Sequence, residues 1–465
     1  MTTYSIPRLV IAGTQSGVGK TTIVTGLLAA FRQMGLKVQS YKVGPDYIDP
    51  GYHQLASGRP AHNLDTWLVP PEAIAPIFLE TAVDCDLAII EGVMGLYDGG
   101  KNGISSTAEI AKLLHAPVIL VVDGKSMGES AAALVLGFQR YDSDTQIAGA
   151  IANRLGSDSH TEIITKALEN IGVALFGAIR RDQTMATPER HLGLTPVEET
   201  DSERIVAQIA AAIAKQVKLQ EILEVANSAL PLLYEEKKSQ TSASKVRIGV
   251  AKDKAFSFYY PASLKMLERL GADLVYFSPL QDATLPEVDG LLLGGGFPEM
   301  FLAELAANQS LIAELQRAHQ EKMPILAECG GFMYLTKKIV NFTGEEFPMA
   351  GLIPATSIME GKLQTVGYVE ATALTDTILG PKGSKLRGHE FHFSRFEPED
   401  SAVSAWAFTL KKMRTGKEYP GGFATDNLLG SYLHLHFAGS QAAAESFIAS
   451  CRAFAAKRQN RGNDE

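Results

Sequence analysis

The sequence predicts an α/β protein of two domains, each built on a parallel sheet, and three observations point that way. Short β-branched runs alternate with longer helical patterns through the first 200 residues, the rhythm of βαβ units. The alternation lapses in a polar stretch and restarts at Val246. At 465 residues the chain is also too long for one ordinary core.

Taken in order, "RLVIAGT" reads as the first strand, followed by a helix through "TTIVTGLLAAFRQMG" that Gly35 stops. "KVQSYKV", "CDLAIIEG", "APVILVVD" and "QIAGAIANR" follow as strands with helices between most of them. Their apolar runs suit strands covered on both faces. "SERIVAQIAAAIAKQVKLQEILEVANSALPLL" reads as helical and gives way to "YEEKKSQTSASK", a linker by composition. The second alternation runs through the strand "VRIGVA", the helix "PASLKMLERLGA", and the strands "DLVYFSP", "VDGLLLGGG" and "PILAEC". "QTVGYVEATAL", "LRGHEFHFSRF" and "LLGSYLHLHF" have period-two character suited to hairpins and sheet edges. The expected divisions are residues 1–200, a helical connector and linker at 201–244, a second domain at 245–455, and a frayed polar tail at 456–465.

Composition narrows the function classes. A net charge of −9 argues against a nucleic-acid or anionic-membrane surface. Cys85, Cys329 and Cys451 are too scattered for a disulfide framework or a cysteine-built metal centre, and they fit a reducing compartment. The opening "MTTYSIPRLVIAGTQ" carries no signal-peptide pattern, and the apolar runs are far short of the ~20 residues that span a bilayer. The cytoplasm is the expected location.

Two motifs carry chemistry. "VIAGTQSGVGKTT" lies between a strand and a helix, where backbone N–H groups can wrap phosphate oxygens. Gly17 and Gly19 allow close approach, Lys20 can reach the β/γ-phosphates, and the Thr21 hydroxyl, followed by Thr22, can bind Mg²⁺. The phosphate-loop pattern asks for glycine at position 14; this chain has Thr14, with Gly13 one place earlier. Carboxylates follow two strands, Asp46 and Asp49 in "YKVGPDYIDPGYH", Glu91 and Asp98 in "AIIEGVMGLYDG". Strand C-termini are where open α/β sheets bind ligands, although any one of these acids could equally be a solvated loop charge. The second motif is "AECGGF", which sets Cys329 on a strand-to-helix corner. A cysteine there is either a small buried hydrophobe or a nucleophile held clear by a strained turn.

"GTQSGVGKTT", "YKVGPDYIDPGYHQLASGRPAHNLDTWL", "EGVMGLYDG" and "ERHLGL" together resemble the cobyrinic acid a,c-diamide synthases, glutamine- and ATP-dependent amidases of corrinoid biosynthesis. The resemblance spans nearly the whole chain, excepting linker and tail. It implies a P-loop NTPase-type first domain similar to dethiobiotin synthetase, whose loop shares the displaced first glycine. The related partitioning ATPases carry a lysine where this chain has Gln15. The resemblance further implies that Lys20 and the loop hold ATP and that Thr21, Asp46 and Glu91 hold Mg²⁺. Asp49 and Asp98 would then orient the substrate or the acyl-phosphate. Asn153 resembles the adenine-reading asparagine of this superfamily and serves equally well as a structural cap. Glu189, Arg190 and His191 are candidates for the corrin's carboxylates.

"LLLGGGFPE", "AECGGF" and "GSYLHLHF" resemble the class I glutamine amidotransferases, which implies a flavodoxin-like second domain. Cys329 would then attack the glutamine amide, with His434 as base, and Gly330 with Gly295 would form the oxyanion hole. Many class I enzymes place a glutamate two residues beyond the histidine; this chain has His436 there, which leaves the third triad member open. Glu390 shares the region, and His389 and His392 can be structural. The two halves would make one enzyme: ATP activates a carboxylate as an acyl-phosphate, and ammonia, shielded from water, converts it to an amide, at the a- and c-acetates in turn. The partners implied are ATP, glutamine and a corrinoid; a homodimer is compatible. Two alternatives stay open: a sister amidase acting on hydrogenobyrinate or a nickel-sirohydrochlorin, and a nucleotide switch with a degenerate amidotransferase domain.

Overall fold

The computed structural model describes residues 2–182, 189–190, 193–194, 201–234, 245–399 and 406–463. The chain divides into two compact units, Met1–Lys237 and Lys238–Glu465.

In the first unit seven parallel strands lie in the order His62–Leu64, Val38–Val43, Leu87–Glu91, Arg8–Gly13, Val118–Asp123, Ile147–Leu155, Ala174–Arg180. Every residue of Arg8–Gly13, Val38–Val43 and Leu87–Glu91 is buried, which is why these segments read as unbroken apolar runs rather than alternating ones. The chain leaves Arg8–Gly13 toward one sheet edge and leaves Leu87–Glu91 toward the other. These two adjacent strands therefore bracket the topological switch point, where such sheets open a crevice at their C-terminal ends.

The segment read as helical forms two helices, Ser202–Gln216 and Leu219–Asn227, parted at Val217, which bridges to Gly177. Val206, Ile209, Ala210, Ile213, Ile222 and Ala226 of these helices are buried in the first unit's core. Helix Ser202–Gln216 crosses helix Lys20–Gln33 at Gly26, where an added Cβ would fall 2.3 Å from Ile213 Cγ1. The linker expected at "YEEKKSQTSASK" lies almost wholly outside the described residues.

The second unit holds a ten-stranded mixed sheet. Its parallel half runs Ala272–Phe277, Val246–Ala251, Gly290–Leu293, Ile325–Glu328, Leu428–Ser431, and its antiparallel half adds Glu418–Ala424, Trp406–Lys412, Thr365–Ala373, Lys385–His392 and His434–Leu435. The antiparallel half contains "QTVGYVEATAL" and most of "LRGHEFHFSRF", as their alternation predicts, whereas "LLGSYLHLHF" supplies the parallel strand Leu428–Ser431 before the edge strand His434–Leu435. A four-stranded sheet stands beside it. The C-terminal segment, expected to fray, instead continues the helix Gln441–Asn463. Arg458 ties that helix down, donating to Val288 O at 3.1 Å and to Asp289 Oδ1 at 3.0 Å. Among the described residues no helix is long and apolar enough to cross a membrane.

Gly26→Val should force the two crossing helices of the first unit apart and lower its stability by about 1–3 kcal/mol. Denaturant unfolding of the variant against the parent measures this.

Candidate active site

The loop after Arg8–Gly13 turns through Gly17 at φ 75° and Gly19 at φ 94°, left-handed values that suit glycine, before helix Lys20–Gln33 begins. Gly19 is doubly constrained, since a Cβ there would fall 2.4 Å from Asn153 Nδ2. Asn153 donates to Val18 O at 2.8 Å, while Arg154 donates to Gly17 O and Asp123 Oδ2, both at 2.7 Å. The strand Ile147–Leu155 thus braces the loop from outside.

Lys20 folds back to donate to Met94 O at 2.6 Å. Burial pulls its ammonium down to about 8, against the opposing charges of Glu91, Asp49 and Asp98. A cation in that condition gains from an anion placed beside it.

Thr21 Oγ1 lies 2.7 Å from Glu91 Oε1 and 3.1 Å from Asp49 Oδ2. Glu91 is fully buried, and the cation that makes this tolerable is Lys42, whose Nζ lies 2.8 Å from Glu91 Oε1 and 2.5 Å from Asp49 Oδ2. His53 Nε2 holds the other oxygen of Glu91 at 2.6 Å. Burial would raise the Glu91 pKa, but Lys42 and His53 drive it well below the usual carboxylate range. Burial would likewise lower Lys42, and Asp49 and Glu91 outweigh it to hold the ammonium charged. Asp49 goes the other way, pushed up to about 7 by burial and by neighbouring Asp46 against the pull of Lys42.

Hydroxyl and carboxylate oxygens of this kind are the donor set of a hard divalent cation. Among the described residues no three His, Cys, Asp or Glu side chains cage an ion on their own. Asp46 Oδ1 accepts from the N–H groups of Ile48 and Asp49 at 2.8 and 3.1 Å and so fixes the start of helix Ile48–Ser57. Asp98 Oδ2 accepts from Gly95 N–H at 3.0 Å.

In the second unit Cys329 sits between strand Ile325–Glu328 and the short helix Gly330–Leu335 with φ 46° and ψ −103°. A non-glycine residue held there costs about 1–3 kcal/mol, a strain found at nucleophile elbows. Gly331 makes the corner possible: its N–H donates to Gly294 O at 2.9 Å, and a Cβ there would lie 2.3 Å from Leu293 O. Gly295 stands close against the imidazole of His434, where a Cβ would fall 2.5 Å from Cε1. Gly330 heads the helix that follows the thiol.

His434 is buried, with Cys329 and Glu328 as its electrostatic neighbours. Burial alone would lower its pKa; Cys329 and Glu328 outweigh that and push it up to about 10. The carboxylate near His434 is Glu328, with Oε2 3.7 Å from Nδ1. Glu390 instead accepts a hydrogen bond from Tyr419. His436 packs on the Tyr260 ring, centroids 4.9 Å apart. His389 and His392 are lowered by burial to about 3 and about 4, and His392 stacks on Tyr432 at 3.7 Å.

A buried thiol–imidazole pair and a phosphate loop facing buried carboxylates thus stand in one chain. Residues 9–194 match the CobQ/CobB/MinD/ParA nucleotide binding domain, and residues 247–442 match the CobB/CobQ-like glutamine amidotransferase domain. The cobyrinate a,c-diamide synthase of Dehalococcoides mccartyi strain CBDB1 is 46% identical over 96% of this chain and 98% of its own length. The chain belongs to that family. The cobyrinate a,c-diamide synthase of Salmonella typhimurium is 42% identical over 95% of this chain and 98% of its own. The hydrogenobyrinate a,c-diamide synthase of Streptomyces coelicolor is 40% identical over 96% and 98%. Family membership makes the chain a glutamine-dependent, amide-forming ligase with a nucleotide-binding P-loop domain.

The structure gathers Lys20, Thr21, Asp49 and Glu91 at one sheet edge, with Asp46 and Asp98 beside them. Thr22 follows in the first turn of the same helix. Glu189 and Arg190 form a two-residue strand against Gly193–Leu194, while His191 lies outside the described residues. Sequence reasoning missed Lys42, His53 and Glu328. The available signal was a charged residue inside a run otherwise fit for a buried strand, "YKV" and "LAEC".

Lys42→Met should leave two buried carboxylates without their cation and cost about 3 kcal/mol of first-unit stability. Mg²⁺ should return part of that loss by replacing the charge, and should do less for the parent. Unfolding curves with and without the metal read the difference.

Proposed function

We propose that this chain amidates the a- and c-acetate carboxylates of cobyrinate in corrinoid synthesis, using ATP and ammonia released from glutamine. The supporting observation is that the thiol–imidazole pair and the oxygen pocket beside the phosphate loop occur in one chain that aligns over 96% of its length with a cobyrinate a,c-diamide synthase.

In the second unit the Cys329 thiolate adds to the glutamine side-chain carbonyl. The proton on His434 passes to the leaving nitrogen, giving ammonia and a γ-glutamyl thioester that water later hydrolyses. Gly330 and Gly295 are the candidate oxyanion donors, each worth roughly 3 kcal/mol of barrier if aimed at the developing charge.

In the first unit the turn through Gly17 and Gly19 wraps the phosphates of ATP, and Lys20 leaves Met94 O for the phosphoryl oxygens. Mg²⁺, held by Thr21, Glu91 and Asp49 with Asp46 in reserve, would neutralise charge on the transferring phosphoryl group. Lys42 fills the same oxygen pocket until that charge arrives, then turns to the acyl-phosphate oxygens. Asp98 and the Glu189–His191 segment are candidates for contact with the tetrapyrrole acid, and Asn153 for contact with the adenine. The cytoplasm, with thiols free as Cys85, Cys329 and Cys451 are here, is the compartment proposed.

A second substrate reading has its own support in the Streptomyces coelicolor relative, a hydrogenobyrinate a,c-diamide synthase 40% identical to this chain. Incubation with ATP, Mg²⁺, glutamine and a panel of cobalt-bearing and metal-free tetrapyrrole acids, read by mass spectrometry, separates the two. Cobyrinate should gain two amides faster than hydrogenobyrinate; the reverse order would transfer the assignment. Cys329→Ala should abolish glutamine-dependent amidation and keep ammonia-dependent amidation. Lys20→Met should reduce both by about 100-fold or more, since it removes stabilisation of the phosphoryl group itself.

A further inference from the structure

We infer that Glu328, the residue immediately before the candidate nucleophile, is the positioning carboxylate for His434, in place of the glutamate that many class I enzymes carry two residues beyond the histidine. The inference rests on Cys329 and His434 being the glutaminase pair.

The geometry comes from the sheet. Strand Ile325–Glu328 pairs in parallel with Leu428–Ser431, setting Glu328 across from Ser431, three residues before His434. Cys329 N–H donates to Ser431 O at 2.8 Å, so the elbow and the histidine loop are stitched together at the strand ends. From there Glu328 reaches the histidine loop twice. Its Oε1 accepts from Leu435 N–H at 3.3 Å, fixing the backbone just after His434, and its Oε2 lies 3.7 Å from Nδ1. The second contact is longer than a hydrogen bond and within ion-pair reach. His434 and Glu328 are both buried, at 2% and 9% exposure, so their attraction is little screened.

The position two beyond His434 is closed to a carboxylate's role, because His436 packs on Tyr260. The other groups that bear on His434 do not compete. His389 pairs with it across the neighbouring strand and, like His392, is held neutral by burial. Glu390 is engaged by Tyr419, and burial raises its pKa. Cys329 and Glu328 are the neighbours that favour the protonated ring, Glu328 from its Nδ1 side.

A carboxylate on the imidazolium stabilises the protonated ring. Its removal should lower the pH at which the ring loses its proton, so the alkaline limb of the glutaminase profile should move to lower pH. Glu328→Gln should lower glutaminase kcat about 10- to 100-fold, a loss in the range of acid–base contributions, with KM changed less than about threefold. Its alkaline limb should fall by about one pH unit, while ammonia-dependent amidation stays at the parent rate. Glu328→Asp, which keeps the charge, should retain the parent's alkaline limb and lose less than about tenfold in kcat.

Parent-like kcat and limb in Glu328→Gln would overturn the assignment. So would an aspartate variant whose limb moves as far as that of the glutamine variant. If the glutamine substitution also disturbs folding, seen as lost ammonia-dependent activity, the limb of the aspartate variant decides alone. Glutaminase activity surviving in Cys329→Ala would instead refute the underlying nucleophile assignment, a result that none of the Glu328 outcomes imitates.

Discussion

A carboxylate taken out of water has to be given a cation, and both candidate sites of this protein are arranged around that constraint. Glu91 is fully buried at a strand end and is held ionised by Lys42 and His53. Glu328 is nearly as buried, at another strand end, and faces the imidazole of His434. In a medium of low dielectric the loss of either partner leaves an uncompensated charge, a larger penalty than the pair's own net contribution. The arrangement is therefore poor evidence of stability and good evidence of a task. In the first unit the cation fills a pocket of oxygens that suits a divalent metal. In the second it is the imidazole of His434, which also neighbours Cys329.

The sheets explain why these groups stand where they do. Parallel strands end at one edge, and the loops that follow lie at that edge together. Arg8–Gly13 and Leu87–Glu91 are neighbours whose connections part in opposite directions, which brings the phosphate loop, Glu91 and the Asp49 helix to one crevice. Ile325–Glu328 and Leu428–Ser431 are neighbours in the same sense, and they bring Cys329 to His434 across more than a hundred residues of sequence. Strand ends place the candidate groups, while glycine at 331 lets the corner approach the backbone of Leu293 and glycine at 19 leaves room for the Asn153 amide.

How much of this was legible follows from how local each feature is. The strand–loop–helix of the phosphate site and the strand–cysteine–Gly-Gly corner are continuous in sequence, so spacing alone exposed them. The alternation of apolar runs and helical patterns revealed the parallel sheets for the same reason. Lys42 was hidden because it sits in a strand whose six residues are all buried, and nothing in "VQSYKV" says that its partners are Asp49 and Glu91. Glu328 was hidden by the expectation that a triad carboxylate follows its histidine; parallel pairing with Leu428–Ser431 supplies it from before the cysteine instead. The end of the chain read as frayed because its polarity is high, yet Arg458 finds an acceptor and a carboxylate 170 and 169 residues away.

The two sites also treat their cations in opposite ways, and the difference matches what each waits for. Burial pulls Lys20 down to about 8, so its charge is only weakly favoured until phosphates come beside it. His434 is pushed up to about 10, with Cys329 and Glu328 already in place. The Cys329–His434 pair thus carries its electrostatics within the fold, whereas Lys20 is left as a cation that an added anion would stabilise. On the proposed glutaminase reading, a ring that already holds its proton is the acid from which the leaving amide nitrogen takes it. That makes the orientation of the ring, rather than its basicity, the quantity the surrounding residues have to control. A carboxylate anchored both to the ring and to the backbone of Leu435 is suited to that control.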